Sequence, residues 1–97
     1  MTNPFDMELF LCGVLNGSHA TRQRHIKQAQ IMQVAIKQRW KRNNPWSWQL
    51  KHVNWFLRYH LKDHANVSRY RYRQSVLLIL RRLGREETWS HRLGDSR

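Results

Sequence analysis

Apolar residues recur every three to four positions along most of this 97-residue chain, which is the spacing of amphipathic helices. The pattern predicts four main helices over about 4–15, 21–41, 45–62 and 68–83, and a short fifth helix over 86–93 that Trp89 and Leu93 pin to the core. The period-two alternation of strands is absent. We therefore predict an all-α fold, a small bundle of four main helices in a single domain covering residues 1–97.

Ser68 and Gly84 delimit the helix with the clearest pattern. A serine hydroxyl is a good N-cap, and glycine is favoured in the left-handed conformation that ends a helix. Cations crowd the first turns, where the helix dipole disfavours them, so an external anion would compensate. The alternative is a solvated arginine face on an ordinary core helix. The expected core face is Tyr72, Val76, Ile79, Leu80 and Leu83, and the crowded cations are Arg69, Arg71 and Arg73.

The first helix is predicted to begin at Asn3–Pro4, as N-cap and first helical residue. It holds two of the six acidic residues and no basic one, so we expect it to pack or to meet a partner away from any phosphate. Its apolar stripe is expected to be Phe5, Leu9 and Cys12, with Cys12 a small core residue.

Ser18 or Thr21 is expected to cap the second helix. Because Ile31 and Val34 fall on the side away from its core face, we expect two neighbours to cover this helix. The predicted core face is Ala29, Met32, Ile36 and Trp40.

Asn44 and Pro45 are predicted to start a third helix that continues to about Lys62. A helix with two apolar faces is either sandwiched between neighbours or presents one face to a partner, and we favour the sandwich. The core face is expected to be Trp46, Leu50, Val53, Leu57 and Leu61, and the opposite face Trp48, Trp55 and Tyr59.

Charge sets the class of partner. Eighteen Lys and Arg stand against six Asp and Glu, which gives a net charge of +12 and a pI near 11.3. Repulsion of that size weakens a small fold unless a polyanion relieves it, and a strongly basic domain is the usual footprint of nucleic-acid binding. We expect nucleic acid, with DNA ahead of RNA; an acidic protein or ribosomal RNA is the alternative.

Enzyme and metal chemistry are not expected. The acidic residues lie near the two ends and in one linker, with no pair spaced to share a proton or hold magnesium. His60 and His64 have a zinc-binding spacing but lack two further ligands, so we predict no metal and no cofactor.

The single cysteine excludes an internal disulfide, no apolar run spans a bilayer, and the first residues lack a signal peptide's pattern. The prediction is a cytoplasmic, non-enzymatic protein without a membrane partner.

Helix order and the basic, aromatic opening of the last helix give the chain a family resemblance. The segments 24–40, 45–61 and 68–84, about two thirds of the chain, resemble the N-terminal core-binding domain of tyrosine recombinases, the phage-integrase family. That resemblance implies a SAM-like orthogonal arrangement of four or five helices. It is carried in the last helix by Ser68, Arg69, Tyr70, Arg71, Tyr72 and Arg73, then Ile79, Leu80, Arg81, Arg82, Leu83 and Gly84.

In that family the domain forms half of a clamp around duplex DNA, with two helices against adjacent major grooves. Arg71 and Gln74, one turn apart, have the chemistry to read guanine and adenine edges. The family's catalytic domain is absent, so the resemblance implies an excised domain or a free-standing accessory binder from a mobile element that does not cut DNA. The implied DNA-binding residues are Arg22, Arg24, Lys27, Ser68, Arg69, Tyr70, Arg71, Arg73, Gln74 and Arg81.

Two other functions fit the sequence. An RNA or single-strand binder would stack bases on Trp48, Trp55 and Tyr59. A protein-interaction module would use the acidic first helix and these same aromatic residues to dock a partner recombinase or a second copy of the chain, with the charge only aiding solubility.

Overall fold

Helices and helical turns account for the regular structure of residues 5–93, the part of the chain that the computed structural model describes. The α-helices are α1 (Met7–Leu11), α2 (His19–Trp40), α3 (Leu50–Trp55), α4 (Asn66–Leu83) and α5 (Glu86–Trp89). Pro45–Ser47 and Ser90–Arg92 are 3-10 turns, and Phe56–His60 is a π-helical turn, called the π turn below. No strand occurs in residues 5–93, so the predicted small all-α bundle is confirmed. None of the helices in this range is long and apolar enough to cross a membrane.

The core lies where α2 and α4 pack against each other and against the π turn. Every helix in residues 5–93 except α5 contributes a buried apolar side chain, and Leu93 after α5 is buried as well. The fully buried centre includes Leu11, Met32, Ile36, Val53, Phe56, Leu57, Leu61, Val76, Ile79 and Leu80.

The predicted faces of α2 and α4 are confirmed. Ala29, Met32 and Ile36 are buried on α2, and Trp40 packs against the core at its end. On α4 the predicted stripe is buried or packed on the core. Ser18 caps α2 by accepting a hydrogen bond from the Thr21 amide at 3.1 Å.

Two predictions about helix ends have different outcomes on α4. Gly84 adopts a left-handed conformation (φ 76°) and ends the helix as predicted. Ser68 is not the N-cap, because the helix already begins at Asn66 with Ala65 as its cap. Ser68 therefore lies inside the first turns, half-buried.

Helix α1 differs from its prediction in length and in its buried face. The Asp6 side chain caps it by accepting from the Leu9 amide at 3.0 Å, and the predicted start at Asn3–Pro4 lies outside the described residues. Leu9, inside α1, and Cys12, just after its end, are both exposed, so the prediction that they face the core is wrong. The buried side chains are Met7, Phe10 and Leu11.

The predicted third helix is interrupted. Trp48 has an extended backbone (ψ 150°), and Gln49 then caps a new helix through a reciprocal capping box with His52. The break changes the register, so Trp46 is 55% exposed whereas Trp48 is 3% exposed, the reverse of the prediction. The predicted core positions Val53, Leu57 and Leu61 are buried.

The predicted terminal element is present. Helix α5 and the following 3-10 turn bring Leu93 into the core, and Trp89 packs against its edge. Residues 94–97, expected to fray, lie outside the described part.

Candidate nucleic-acid interface

Helix α4 consists of two halves with different surroundings. None of residues 66–74 is buried, whereas five of the next six, 75–80, are buried. The second half therefore anchors the helix in the core, and the first half extends along the surface. Three of the four arginines predicted to contact DNA from α4 lie on this surface half.

Tyr72 fixes the orientation of the surface half. Its ring packs edge-on against Phe56 of the π turn at 5.7 Å between centroids and against His64 at 5.9 Å. Burial raises the pKa of the Tyr72 hydroxyl, so the ring is a neutral packing group. With Tyr72 turned inward, Tyr70 and Arg71 are exposed, and Tyr70 is 63% accessible.

The other residues predicted on α4 are less accessible. Ser68, Arg69, Arg73 and Gln74 are half-buried. Gln74 and Arg81 line a polar cavity of about 240 Å³ together with His25 of α2 and Asn16. Arg81 donates from Nε and Nη2 to both carboxylate oxygens of Glu86 at 3.1 Å, so its charge is already paired.

The three residues predicted on α2 do not share a face. Successive helical residues are rotated by about 100°, so Arg22 and Arg24 point to nearly opposite sides. Arg22 is exposed in the cleft between α1 and α2, whereas Arg24 is half-buried with its Nε buried and without a hydrogen-bond partner. Lys27 is exposed one turn after Arg24, on the same side of α2 and away from Arg22.

The predicted set divides into two groups because of how α2 and α4 cross. Asn16, just before α2, lines the same cavity as Arg81 near the end of α4. The first turns of α2 therefore lie toward the end of α4, away from Arg69 and Arg71. The structure brings Gln74 and Arg81 close to the start of α2 and leaves the first turns of α4 as a separate basic surface.

A polar contact that the sequence analysis missed holds the crossing. The Ser75 hydroxyl donates to Oε1 of Gln28 at 2.8 Å, and Nδ1 of His25 lies 2.8 Å from the same hydroxyl oxygen. Since that hydroxyl proton goes to Gln28, His25 donates from Nδ1. Burial, and then the charge of Arg24, lower the His25 pKa, so the ring is neutral at pH 7. The sequence could have indicated this contact, because His25, Gln28 and Ser75 are polar residues on helix faces that are otherwise apolar.

Acidic residues are absent from most of this surface. The sequence has no Asp or Glu from residue 9 to residue 62, and none in α4. Ten Lys and Arg side chains belong to α2 and α4 together. Neither helix contains an acidic residue of its own to match these cations.

The predicted aromatic face is not formed. Trp48 is buried and donates from Nε1 to the Arg42 carbonyl at 3.4 Å, and Trp55 is half-buried against Trp40. Tyr59 is exposed, so these three rings cannot stack bases on one surface. The same burial removes Trp48 from any docking face for a partner recombinase or a second copy.

No group of three or more His, Cys, Asp or Glu side chains in residues 5–93 is placed to hold a metal ion. His60 is exposed and its ring stacks on Phe56, so it does not form a metal-ligand pair with His64.

In comparisons with family models, curated proteins and solved structures, nothing matches this chain.

Proposed function

We propose that this chain is a non-enzymatic module that binds duplex DNA through the first half of α4. The observation that carries the proposal is the basic surface of residues 66–74, which contains no acidic residue and exposes Tyr70 and Arg71. The buried second half of the same helix holds it in place. The resemblance to the core-binding domain of tyrosine recombinases supports it, because that domain places a helix of this kind against the major groove.

Each side chain of this half has a proposed task. Arg69 and Arg73, at the rim, contact phosphates, which provide affinity without sequence information. Arg71 is exposed and can make a bidentate contact to guanine. Tyr70 is exposed beside it and can pack on a sugar or a thymine methyl group.

The first half of α4 also has the dimensions of a groove-binding element. A helix with its side chains is about 10–12 Å in diameter, which fits the major groove, about 12 Å wide. The cations of α2 lie on other sides and are proposed to contact the flanking backbone. Lys27 is the most accessible of these, whereas Arg24 is partly enclosed.

Fluorescence anisotropy with labelled duplex DNA, single-stranded DNA and RNA, each at two salt concentrations, tests the proposal. We expect duplex DNA to bind most tightly and its log Kd to change with log salt by about 0.9 for each phosphate contacted. Equal affinity for duplex and single strands, or no salt dependence, contradicts the proposal.

A further inference from the structure

A groove on α2 remains uncovered by the rest of the bundle. It has a volume of about 330 Å³ and a mostly apolar surface, and His60 of the π turn forms its other side. Ile31 and Val34 are 40% and 54% exposed, so the predicted second neighbour of α2 is not provided by residues 5–93. The α2 residues that line it are Lys27, Gln30, Ile31, Val34, Ala35 and Gln38.

These residues form one continuous stripe. Positions 27, 30, 31, 34, 35 and 38 repeat at three- and four-residue intervals, which places them on a single face of α2. The stripe runs for three turns, about 16 Å. Its middle is aliphatic, and Lys27, Gln30 and Gln38 provide polar groups around it. A partner helix of about three turns, with apolar side chains along one face, matches this length and pattern.

Charge identifies the partner further. Both sides of the groove come from the stretch between residues 9 and 62, which contains no acidic residue. Lys27 lies in the groove, and exposed Arg58 and Lys62 flank His60 in sequence. A partner with carboxylates beside its apolar face would pair with these cations, whereas a second copy of this face would meet them with more positive charge.

Shape and chemistry disfavour the other occupants. Duplex DNA offers little apolar surface to cover Ile31 and Val34, and a flat bilayer does not enter a groove between a helix and a turn. We propose that this groove binds an acidic amphipathic helix of a partner protein, with its apolar face on Ile31, Val34 and Ala35. This surface is separate from the first half of α4, so the proposal goes beyond DNA binding.

The test uses a designed peptide of Leu and Glu, with leucines at helical spacing along one face and glutamates flanking them. Its affinity is measured by anisotropy, and its position by amide chemical shifts of the full chain. We expect saturable binding that weakens with salt, with shifts concentrated at Ile31, Val34, Ala35 and His60. A peptide of the same composition in scrambled order, and one with Lys in place of Glu, are expected to bind at least tenfold more weakly, about 1.4 kcal/mol.

Matched variants locate the site. Val34→Ser and Ile31→Ser are each expected to weaken the peptide about tenfold, because each removes buried aliphatic surface from the complex. Val67→Ser changes a similarly exposed aliphatic residue on α4 and is expected to leave the affinity for the peptide unchanged. Affinity for duplex DNA should be unchanged by Val34→Ser, which separates this surface from the DNA-binding surface. Lys27 is left intact because both surfaces use it.

Four results would overturn the proposal. The first is the absence of peptide binding to the native chain, and the second is equal binding of the lysine peptide. The third is the same loss in Val67→Ser as in Val34→Ser. The fourth is a native chain that self-associates, or binds anionic phosphatidylserine vesicles, in a manner that Val34→Ser abolishes while peptide binding is unaffected.

Discussion

Nδ1 of His25 lies 2.8 Å from the Ser75 hydroxyl oxygen, and this contact joins helices α2 and α4 between residues fifty positions apart in the chain. Ser75 also donates to Gln28, so a single buried hydroxyl satisfies two groups of the facing helix. The contact fixes how the basic first half of α4 is presented relative to α2.

Ser75→Ala is expected to destabilise the fold by about 1–3 kcal/mol, because it leaves Nδ1 of the buried His25 without a partner and removes the bond to the half-buried Gln28. Urea denaturation followed by circular dichroism measures the change. Ser68→Ala, at a half-buried serine of the same helix, is the control and should stay within about 0.5 kcal/mol. If the two substitutions lowered the free energy of unfolding equally, the contact of Ser75 with His25 and Gln28 would not contribute to stability.

Stability is expected to fall in mild acid. Burial lowers the pKa of His25 and His52 below 6.5 in the folded protein, so the unfolded chain takes up protons first. Stability is therefore full above about pH 6.5 and is lost as the pH falls through the lowered values. Urea midpoints between pH 5 and pH 8 measure this slope.

His52 should contribute to that pH slope because its ring is buried and one ring nitrogen accepts a hydrogen bond. The ring is fully buried against Trp40, and Nδ1 accepts from the Gln49 amide at 2.9 Å, a bond that a proton on Nδ1 would remove. The Nε2 of His52 is buried without a hydrogen-bond partner in the described residues.

Gly84→Ala should destabilise the chain by about 1–2 kcal/mol, because an L-residue is strained at the left-handed φ of 76°. Space is open around this position, so the cost is conformational rather than steric. Gly13→Ala, which is also in open space but lacks a positive φ, should be neutral within about 0.5 kcal/mol. Thermal unfolding of the two variants compares them directly.

Arg71→Ala is expected to reduce selectivity among duplex sequences by about 1–3 kcal/mol, because a base-edge contact is lost. Lys27→Ala should instead weaken all duplexes alike and lower the salt slope by about 1. Lys51→Ala removes the same charge from an exposed position on α3 and should change affinity less than either. Binding curves on two duplexes of different sequence distinguish these outcomes. If all three substitutions weakened binding equally, net charge alone would explain DNA binding, and the proposed contacts would be contradicted.

Trp48→Ala is expected to cost about 3–5 kcal/mol, because it empties a buried site. Trp46→Ala should cost no more than about 2 kcal/mol, since Trp46 contributes an exposed ring packed edge-on against Phe10 and under Arg82. Chemical denaturation provides both values. Acrylamide quenching of single-tryptophan variants gives a second measure, and stronger quenching of Trp48 than of Trp46 would contradict the observed register.

The helices whose periodicity is long were predictable from sequence, together with Ser18 and Gly84 as their caps. Periodicity could not show that helix 45–62 breaks at Trp48, because the apolar spacing on the two sides of the break remains compatible with one helix. Local competition decides it: the Ser47 hydroxyl donates to the Asn44 carbonyl at 2.8 Å, and His52 caps at Gln49. Those side-chain bonds favour a 3-10 turn and a restart over an unbroken helix.

The candidate site was predictable as a set of residues on two helices, but not as a surface. Helix periodicity already points Arg22 and Arg24 to nearly opposite sides. Only the packing shows that Arg22 lies in the cleft beside α1 and that Nε of Arg24 is buried. The role of Ser75 could not be predicted, because the residue lies in an apolar run and its hydrogen-bond partner His25 is fifty residues away in the chain. Arg81 could not be recognised as paired, because Glu86 lies beyond the turn that follows the helix.

The π turn sets the length of the chain between α3 and α4. The Leu61 amide bonds to the Phe56 carbonyl at 3.2 Å, five residues back, so this turn holds one residue more than an ordinary helical turn. If the same residues formed an unbroken α-helix, Leu61 would be rotated by about 100° and would leave the core. Homologous chains should therefore tolerate one added residue in the 62–65 linker far better than within 56–60, where it would rotate Leu61 away from the core.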